Sequence, residues 1–302
     1  MQKLENQIWI WFELLKIPEK YKRYLCENID ITKIYFKEKL MEIKDIQIDE
    51  LSSKIINKYL NEFLNEKYKE KAEEINNILI KENINIINVN DINYPNCLRT
   101  LYDYPIIFFT KGNINLLRSR KIGIVGARNI SLYGKKATSI ISSKIYEKGY
   151  TVVSGLAKGV DKTAHINSLK RTIAVLGTGH LEEVFYPKEN IEVYKNILKN
   201  DGLVISEFLP YQNGNKYTFP RRNRIIAALS ESLIVTEAKI KSGSLITADF
   251  ALELGKDIYT IPGDIFSKNY DGNNNLIKDG AIPITNIDDI DIYFDDLNLN
   301  KE

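Results

Sequence analysis

A chain of 302 residues has room for about two domains, and a net charge of +2 selects no particular partner. Hydrophobic residues make up 44% and charged residues 27%, which is ordinary for a globular protein, so anion binding would depend on local clusters of charge. The two cysteines have no metal-binding or redox spacing, the N-terminus lacks a secretory signal, and no stretch approaches the roughly 20 apolar residues of a membrane span. We therefore expect a cytoplasmic protein.

Residues 1–85 predict a small all-helical N-terminal domain. The segment contains no glycine and a single proline, and its apolar residues recur every three or four positions, as in Ile8, Trp11 and Leu15. The lysine-rich faces of these helices are expected to be solvated surface.

Residues 86–290 predict an α/β domain, and residues 291–302 an acidic C-terminal tail. Six runs rich in Val and Ile alternate with amphipathic segments, at 121–127, 150–155, 171–177, 202–207, 231–237 and 256–263. Such near-continuous apolar runs are typical of strands buried on both faces, so we expect an extended Rossmann-like, doubly wound, mainly parallel sheet with crossover helices. Residues 105–110 (PIIFFT) are expected to add an edge strand.

Most of the predicted strands end in a glycine or small-residue turn, for example at Gly126, Gly155 and Gly177. Ligands of doubly wound sheets bind at the carboxyl ends of the strands, and glycine lets the backbone approach a ligand closely. A single such turn is more often a plain tight turn, but several along one rim indicate a binding site. The site is not a dinucleotide or P-loop site, because neither G-x-G-x-x-G with a downstream acid nor G-x-x-x-x-G-K-[ST] is present.

Catalytic and metal-binding patterns are also missing from the sequence. His165 and His180 have no Cys or Ser at a recognisable nucleophile spacing, and no His, Cys and Asp residues are spaced as metal ligands. We therefore expect neither an enzyme nor a cofactor or metal.

The segment FPRRNR (219–224) stands out because the chain otherwise carries its positive charge on lysine. Three of the nine arginines fall within four positions here, and residues 208–230 contain no acidic side chain. Arginine grips phosphate with a planar fork, a helix start favours anions, and an aromatic ring such as Phe219 can stack on a base. The pattern favours a single-stranded nucleic acid as ligand, although a solvated helix end with Phe219 in the core is the alternative from these residues alone.

Six blocks of sequence, taken in order, resemble the DNA-processing protein A (DprA/Smf) family. They are GIVGARNISLYG, SGLAKGVDKTAH, VLGTGHLEEVFYPKEN, GLVISEF, the long block from FPRRNR to YTIPG, and GNNNLIKDGA. The resemblance covers about residues 90–285. It implies a non-enzymatic, dimeric Rossmann-fold protein that binds single-stranded DNA and loads the RecA recombinase onto it during natural transformation.

The resemblance also implies a nucleic-acid-binding pocket. Its members would be Arg128, Lys216, Phe219, Arg222, Arg224, Gly155, Ser242, Gly243 and Ser244. Arg222 and Arg224 would contact phosphates, Phe219 would stack on a base, and Lys216 would add positive charge.

The likeness is weaker at both ends of the chain. The helical N-terminal segment matches the family's variable N-terminal domain only in size and placement, and the acidic tail is too short for the winged helix of many members. A second hypothesis is a nucleoside-monophosphate phosphoribohydrolase-like enzyme, because such enzymes are built on the same type of sheet. The P-G-G-x-G-T-x-x-E pattern of those enzymes, with its catalytic glutamate, has no clear counterpart here.

Overall fold

The computed structural model of the chain describes residues 2–37 and 49–294. Two compact units are present. The first comprises the described residues up to Tyr94 together with Tyr102–Phe109, and the second comprises Pro95–Leu101 with the described residues from Thr110 onward. The domain boundaries expected at residues 85/86 and 290/291 stay a prediction, and residues 295–302 of the expected tail lie outside the described residues.

The first unit is built mainly from helices, as the apolar periodicity predicted. These are α1 (Gln2–Leu14), α2 (Glu19–Asn28), α3 (Thr32–Tyr35), α4 (Glu50–Lys58), α5 (Leu60–Phe63) and α6 (Glu66–Glu82). Their core contains Trp11, Phe63 and Leu79, each about 1% exposed or less. Burial of such large side chains contributes about 1.5–3 kcal/mol each to the stability of this unit.

Two strands follow the helices, β1 (Asn85–Asn88) and β2 (Ile107–Gly112). β2 forms where the sequence predicted an edge strand, but β1, which was not predicted, is hydrogen-bonded beside it. The expectation of an edge position for β2 was therefore wrong. The short apolar run of β1 is too brief for sequence periodicity to identify.

The second unit alternates strands and helices. Its elements are β3 (Lys121–Val125), α7 (Leu132–Glu147), β4 (Thr151–Ser154), α8 (Val160–Ile166), β5 (Thr172–Leu176), α9 (Ile191–Lys199), β6 (Leu203–Ser206), α10 (Thr218–Leu229), β7 (Ser232–Val235), α11 (Gly243–Glu253), β8 (Ile258–Thr260), α12 (Asp271–Lys278), β9 (Ile282–Pro283) and α13 (Asp289–Tyr293). All six apolar runs predicted as strands form β3–β8.

The strands β3–β9 pair in parallel in the order β6-β5-β4-β3-β7-β8-β9. The order reverses between β3 and β7, which makes this pair the topological switch point where doubly wound folds bind ligands. Apolar clusters cover the sheet, for example Ile122 and Ile124 of β3 against Ile141 and Ile145 of α7. The predicted doubly wound, mainly parallel fold with a helical N-terminal region is confirmed. No helix in the described part of the chain is long and apolar enough to span a membrane.

Candidate nucleic-acid interface

A pocket of about 920 Å³ opens at the carboxyl ends of the strands, around the switch point. It lies entirely within the second unit. Five loops contribute to it, those that follow β3, β4, β5, β6 and β7. The position agrees with the expectation from the small-residue turns that close the predicted strands.

Arg222 forms part of the floor of this pocket and is only 5% exposed. Its Nη1 donates hydrogen bonds to the carbonyl oxygens of Gly155 and Val175, and its Nε donates to Oδ1 of Asn223 at 3.1 Å. Burial lowers the pKa of Arg222 to about 10, which still leaves the guanidinium charged at neutral pH. Arg222 is thus a fixed positive charge that also joins the ends of β4 and β5 to α10.

The other two arginines of FPRRNR pair with Glu207, which follows β6. Oε2 of Glu207 accepts from Nε of Arg221 at 3.2 Å, and Oε1 accepts from Nη2 of Arg221 at 2.9 Å and from Nη2 of Arg224. Arg224 is 2% exposed and is not among the described residues that line the pocket. The segment without acidic residues begins one residue after Glu207. The sequence analysis therefore did not identify Glu207 as the partner of these arginines.

Aromatic and basic side chains also meet in this pocket. The Arg128 guanidinium lies 5.8 Å from the ring centroid of Phe219, and the Tyr186 ring lies 5.6 Å from that of Phe219 at an angle of 56°. A Cβ atom on Gly177 would lie 2.5 Å from the Phe219 ring and one on Gly214 would lie 2.7 Å from it, so both glycines are needed for this packing. Tyr186 was not predicted as a site residue, although it lies within one of the blocks that resemble the family.

The start of α10 carries its own cap. Oδ1 of Asn215 accepts from the backbone amides of Tyr217 and Thr218 at 2.8 and 3.2 Å, and Oγ1 of Thr218 accepts from the amide of Asn215 at 2.9 Å. This reciprocal arrangement satisfies the amides of Tyr217 and Thr218, which are therefore not free to bind an anion. Lys216, within this turn, is exposed and places its Nζ 5.0 Å from the ring centroid of Tyr217.

The start of α11 forms another wall and carries no acidic residue in its first turn. Oγ of Ser242 lies 2.7 Å from Oγ of Ser244, and Nδ2 of Asn223 donates to the carbonyl oxygen of Gly243 at 3.1 Å. The positive end of the helix dipole therefore adds to the positive charges of the pocket. Lys239 and Lys241 lie in the preceding loop, are exposed and line the pocket, but they were not predicted from the sequence.

Asp161 is the buried carboxylate of the pocket. Its Oδ2 accepts from the amides of Gly155 and Ala157 at 3.1 and 3.3 Å, which orders the loop after β4. Burial raises the pKa of Asp161, and the charge of Arg222 opposes that shift. The pair is best explained as support for the loop.

His165 lies in the interior, fully buried, with Nδ1 at 2.7 Å from Oγ1 of Thr172. Burial lowers its pKa to about 3, so the ring is neutral near pH 7. Within residues 2–37 and 49–294, no group of three or more His, Cys, Asp or Glu side chains could hold a metal ion.

The structure brings together most of the residues predicted for the site. Seven line the pocket: Arg128, Lys216, Phe219, Arg222, Ser242, Gly243 and Ser244. Gly155 lies in a small adjoining recess that Arg128, Phe219 and Arg222 also line. Arg224 is the predicted member that lies elsewhere, against Glu207.

Fold and pocket define a Rossmann-like protein with a basic, aromatic-walled pocket at its topological switch point. Residues 85–295 match the model of the family described as DNA recombination-mediator protein A, and the chain belongs to this family. The resemblance identified from the sequence blocks is thereby confirmed.

Individual relatives agree with this assignment. DNA processing protein DprA of Bacillus subtilis is 42% identical over 214 residues, which are 70% of this chain and 71% of that protein. The X-ray structure of DprA from Streptococcus pneumoniae superimposes with a TM-score of 0.73 at 33% identity, covering 96% of this chain and 98% of the other. A structure that describes the single-stranded DNA binding mode of DNA processing protein A from Helicobacter pylori gives a TM-score of 0.63 at 31% identity, covering 68% of this chain and 93% of the other.

Proposed function

We propose that this protein binds single-stranded DNA in the basic pocket and acts as a recombination mediator. The observation that carries the proposal is one cavity at the switch point in which Arg128, Lys216 and Arg222 lie together with the aromatic ring of Phe219. Basic side chains follow a phosphate backbone, and aromatic rings accept bases of any sequence, which is the chemistry of single-strand binding. The single-stranded DNA binding described for the Helicobacter pylori relative supports the same ligand.

Family membership supports the finer part of the proposal. The protein would load RecA recombinase onto incoming single strands during natural transformation, as a homodimer through its Rossmann domain and without catalysing a reaction itself. The cytoplasmic location expected from the sequence stays a prediction. Within the pocket, Arg128 and Arg222 would face phosphates and Lys216 would add charge at the rim. Arg224, buried against Glu207, would support α10 instead of contacting DNA.

Fluorescence anisotropy with labelled single- and double-stranded oligonucleotides of equal length, over a salt series, tests the DNA-binding part. We expect tighter binding to the single strand with little sequence preference, because basic side chains and the ring of Phe219 in one pocket suit phosphates and unpaired bases of any sequence. Tighter binding to the duplex would refute the proposal.

The Arg128→Ala variant locates the site. It should weaken binding of all sequences alike and make the slope of log K against log salt less steep by about 0.7 for each phosphate that is no longer neutralised. Arg118→Ala, which removes an exposed arginine elsewhere in the second unit, is the matched control and should leave the slope unchanged. Equal slopes for Arg128→Ala and the wild type would place the DNA elsewhere.

The mediator role needs an assay of its own. RecA filament formation is followed on single strands already coated with a single-strand-binding protein, with and without this protein. We expect faster filament formation and no release of free base from nucleoside monophosphates. DNA binding without any effect on RecA would reduce the protein to a binding module, whereas released base would favour the hydrolase hypothesis.

A further inference from the structure

Tyr186 is the most exposed aromatic ring in the lining of the pocket, with half of its surface open to solvent. It also lines the small recess beside Arg128 and Phe219. The other two aromatic residues that line the pocket, Phe185 and Phe219, are more buried. The ring therefore has surface available for a flat ligand.

Phe219 has less ring surface available. The Arg128 guanidinium lies near it, Tyr186 leans on it, and the backbones of Gly177 and Gly214 approach so closely that neither position has room for a Cβ atom. Phe219 thus acts mainly as a support. Tyr186, in contrast, keeps half of its surface exposed while it lines both the pocket and the recess.

The backbone of Tyr186 is held on both sides. Phe185, just before it, is 1% exposed and belongs to the core. The amide of Asn190 donates to the carbonyl oxygen of Pro187 at 3.0 Å, and the buried Nδ2 of Asn190 donates to the carbonyl oxygen of Leu156, also at 3.0 Å. A ring on an anchored turn loses little conformational entropy when a ligand stacks on it.

From this arrangement we infer that Tyr186 is a base-stacking residue of the pocket, whose ligand is an unpaired nucleobase of any identity with its phosphate toward Arg128. The inference rests on the proposed function. It assigns the accessible stacking surface to Tyr186 and a supporting role to Phe219.

Anisotropy titrations with oligothymidylate test the inference through two substitutions. Tyr186→Leu should weaken binding about tenfold, since one base stack on an aromatic side chain is typically worth roughly 5- to 160-fold in affinity. Tyr186→Phe should stay within about twofold of the wild type, because it keeps the ring. Tyr217→Leu is the matched control, because Tyr217 is more exposed and is not among the described residues that line the pocket.

An oligonucleotide of the same length with abasic sites separates stacking from a structural effect. The wild type and Tyr186→Leu should bind this strand equally, because no base remains to stack. A tenfold loss on both strands would show that Tyr186 only maintains the shape of the pocket, and equal binding of oligothymidylate by both proteins would also overturn the inference. Failure of the wild type to bind either strand would instead refute the proposed function.

Tyr186→Trp gives a second measurement that does not need a loss of affinity. Both native tryptophans, Trp9 and Trp11, are buried in the first unit, so the added fluorescence at position 186 can be obtained by difference. Oligothymidylate should quench this added signal, and the abasic strand should not. The same signal with both strands would contradict stacking.

Discussion

Gly155→Ala is a one-atom test of how the pocket floor is assembled. A Cβ atom on Gly155 would lie 2.3 Å from Nη1 and 2.4 Å from Cζ of Arg222. Non-bonded heavy atoms normally stay about 3.5 Å apart or more, so the guanidinium must retreat by roughly 1 Å. The φ angle of Gly155 is not in the left-handed region, so alanine adds no backbone strain and the test isolates this contact.

The retreat would break the two hydrogen bonds from Nη1 of Arg222 to the carbonyl oxygens of Gly155 and Val175. Hydrogen bonds to charged groups contribute about 1.5–3 kcal/mol each, and part of this returns if the guanidinium finds water in the pocket. We therefore expect the free energy of unfolding to fall by about 2–4 kcal/mol. Gly243→Ala is the matched control, because a Cβ placed there would have no atom within 4 Å apart from its chain neighbours and its own helix backbone.

Urea denaturation followed by far-UV circular dichroism measures this effect. Tryptophan fluorescence would report on the first unit, where Trp9 and Trp11 lie. Gly155→Ala combined with Arg222→Ala should be more stable than the sum of the two single changes predicts, since the alanine has no guanidinium left to displace. Additive changes, or a Gly155→Ala variant as stable as Gly243→Ala, would refute this description of the floor.

Three further predictions concern charged or titratable groups in the second unit. Arg222→Lys keeps the charge but not the planar fork, so we expect a loss of about 1–3 kcal/mol in stability and weaker binding of single strands; wild-type values in both urea denaturation and anisotropy would contradict it. Lys256 donates from Nζ to three carbonyl oxygens at the end of α10. Lys256→Met should therefore lower the free energy of unfolding by about 1–3 kcal/mol in the same assay. An unchanged denaturation midpoint would mean that water replaces the lysine. The pKa of His165 lies near 3 in the folded chain and about 6.5 in the unfolded chain, so below pH 6.5 only the unfolded state takes up this proton. Stability should therefore be complete above pH 6.5 and fall by roughly 3 kcal/mol between pH 6.5 and 4 because of this residue. His165→Asn should remove that part of the pH dependence, and an identical pH profile in the variant would show that other groups cause it.

The fold of the second unit was predictable because strands buried on both faces leave a local signal. Each of β3–β8 coincides with a run of apolar residues, and helix and strand alternate along the chain. Parallel strands connected by helices must place their carboxyl ends on one edge, so the turns at Gly126, Gly155 and Gly177 could be assigned to one rim from sequence. β1 escaped prediction because a strand of four residues carries too little pattern.

The residue types of the pocket were also visible in the sequence, since an unusual arginine cluster and aromatic Phe219 could be identified without coordinates. The contacts that each of these residues makes could not be read from the sequence. Arg221 and Arg224 lie 14 and 17 residues from Glu207, and only the approach of α10 to the end of β6 joins them to that carboxylate. Arg222 has the same chemistry, but its side chain donates instead to the carbonyl oxygens of Gly155, after β4, and Val175, in β5.

Tyr186 shows the same division between sequence and tertiary structure. Its sequence block predicted membership of a family, but nothing in that block states that the ring leans on Phe219, far along the chain, or that Asn190 is hydrogen-bonded to the loop after β4. Apolar periodicity records only whether a side chain is buried, which is a property of one element at a time. Hydrogen bonds and ring contacts depend on distances of a few ångströms between elements, and those distances exist only once the sheet has brought its strand ends together.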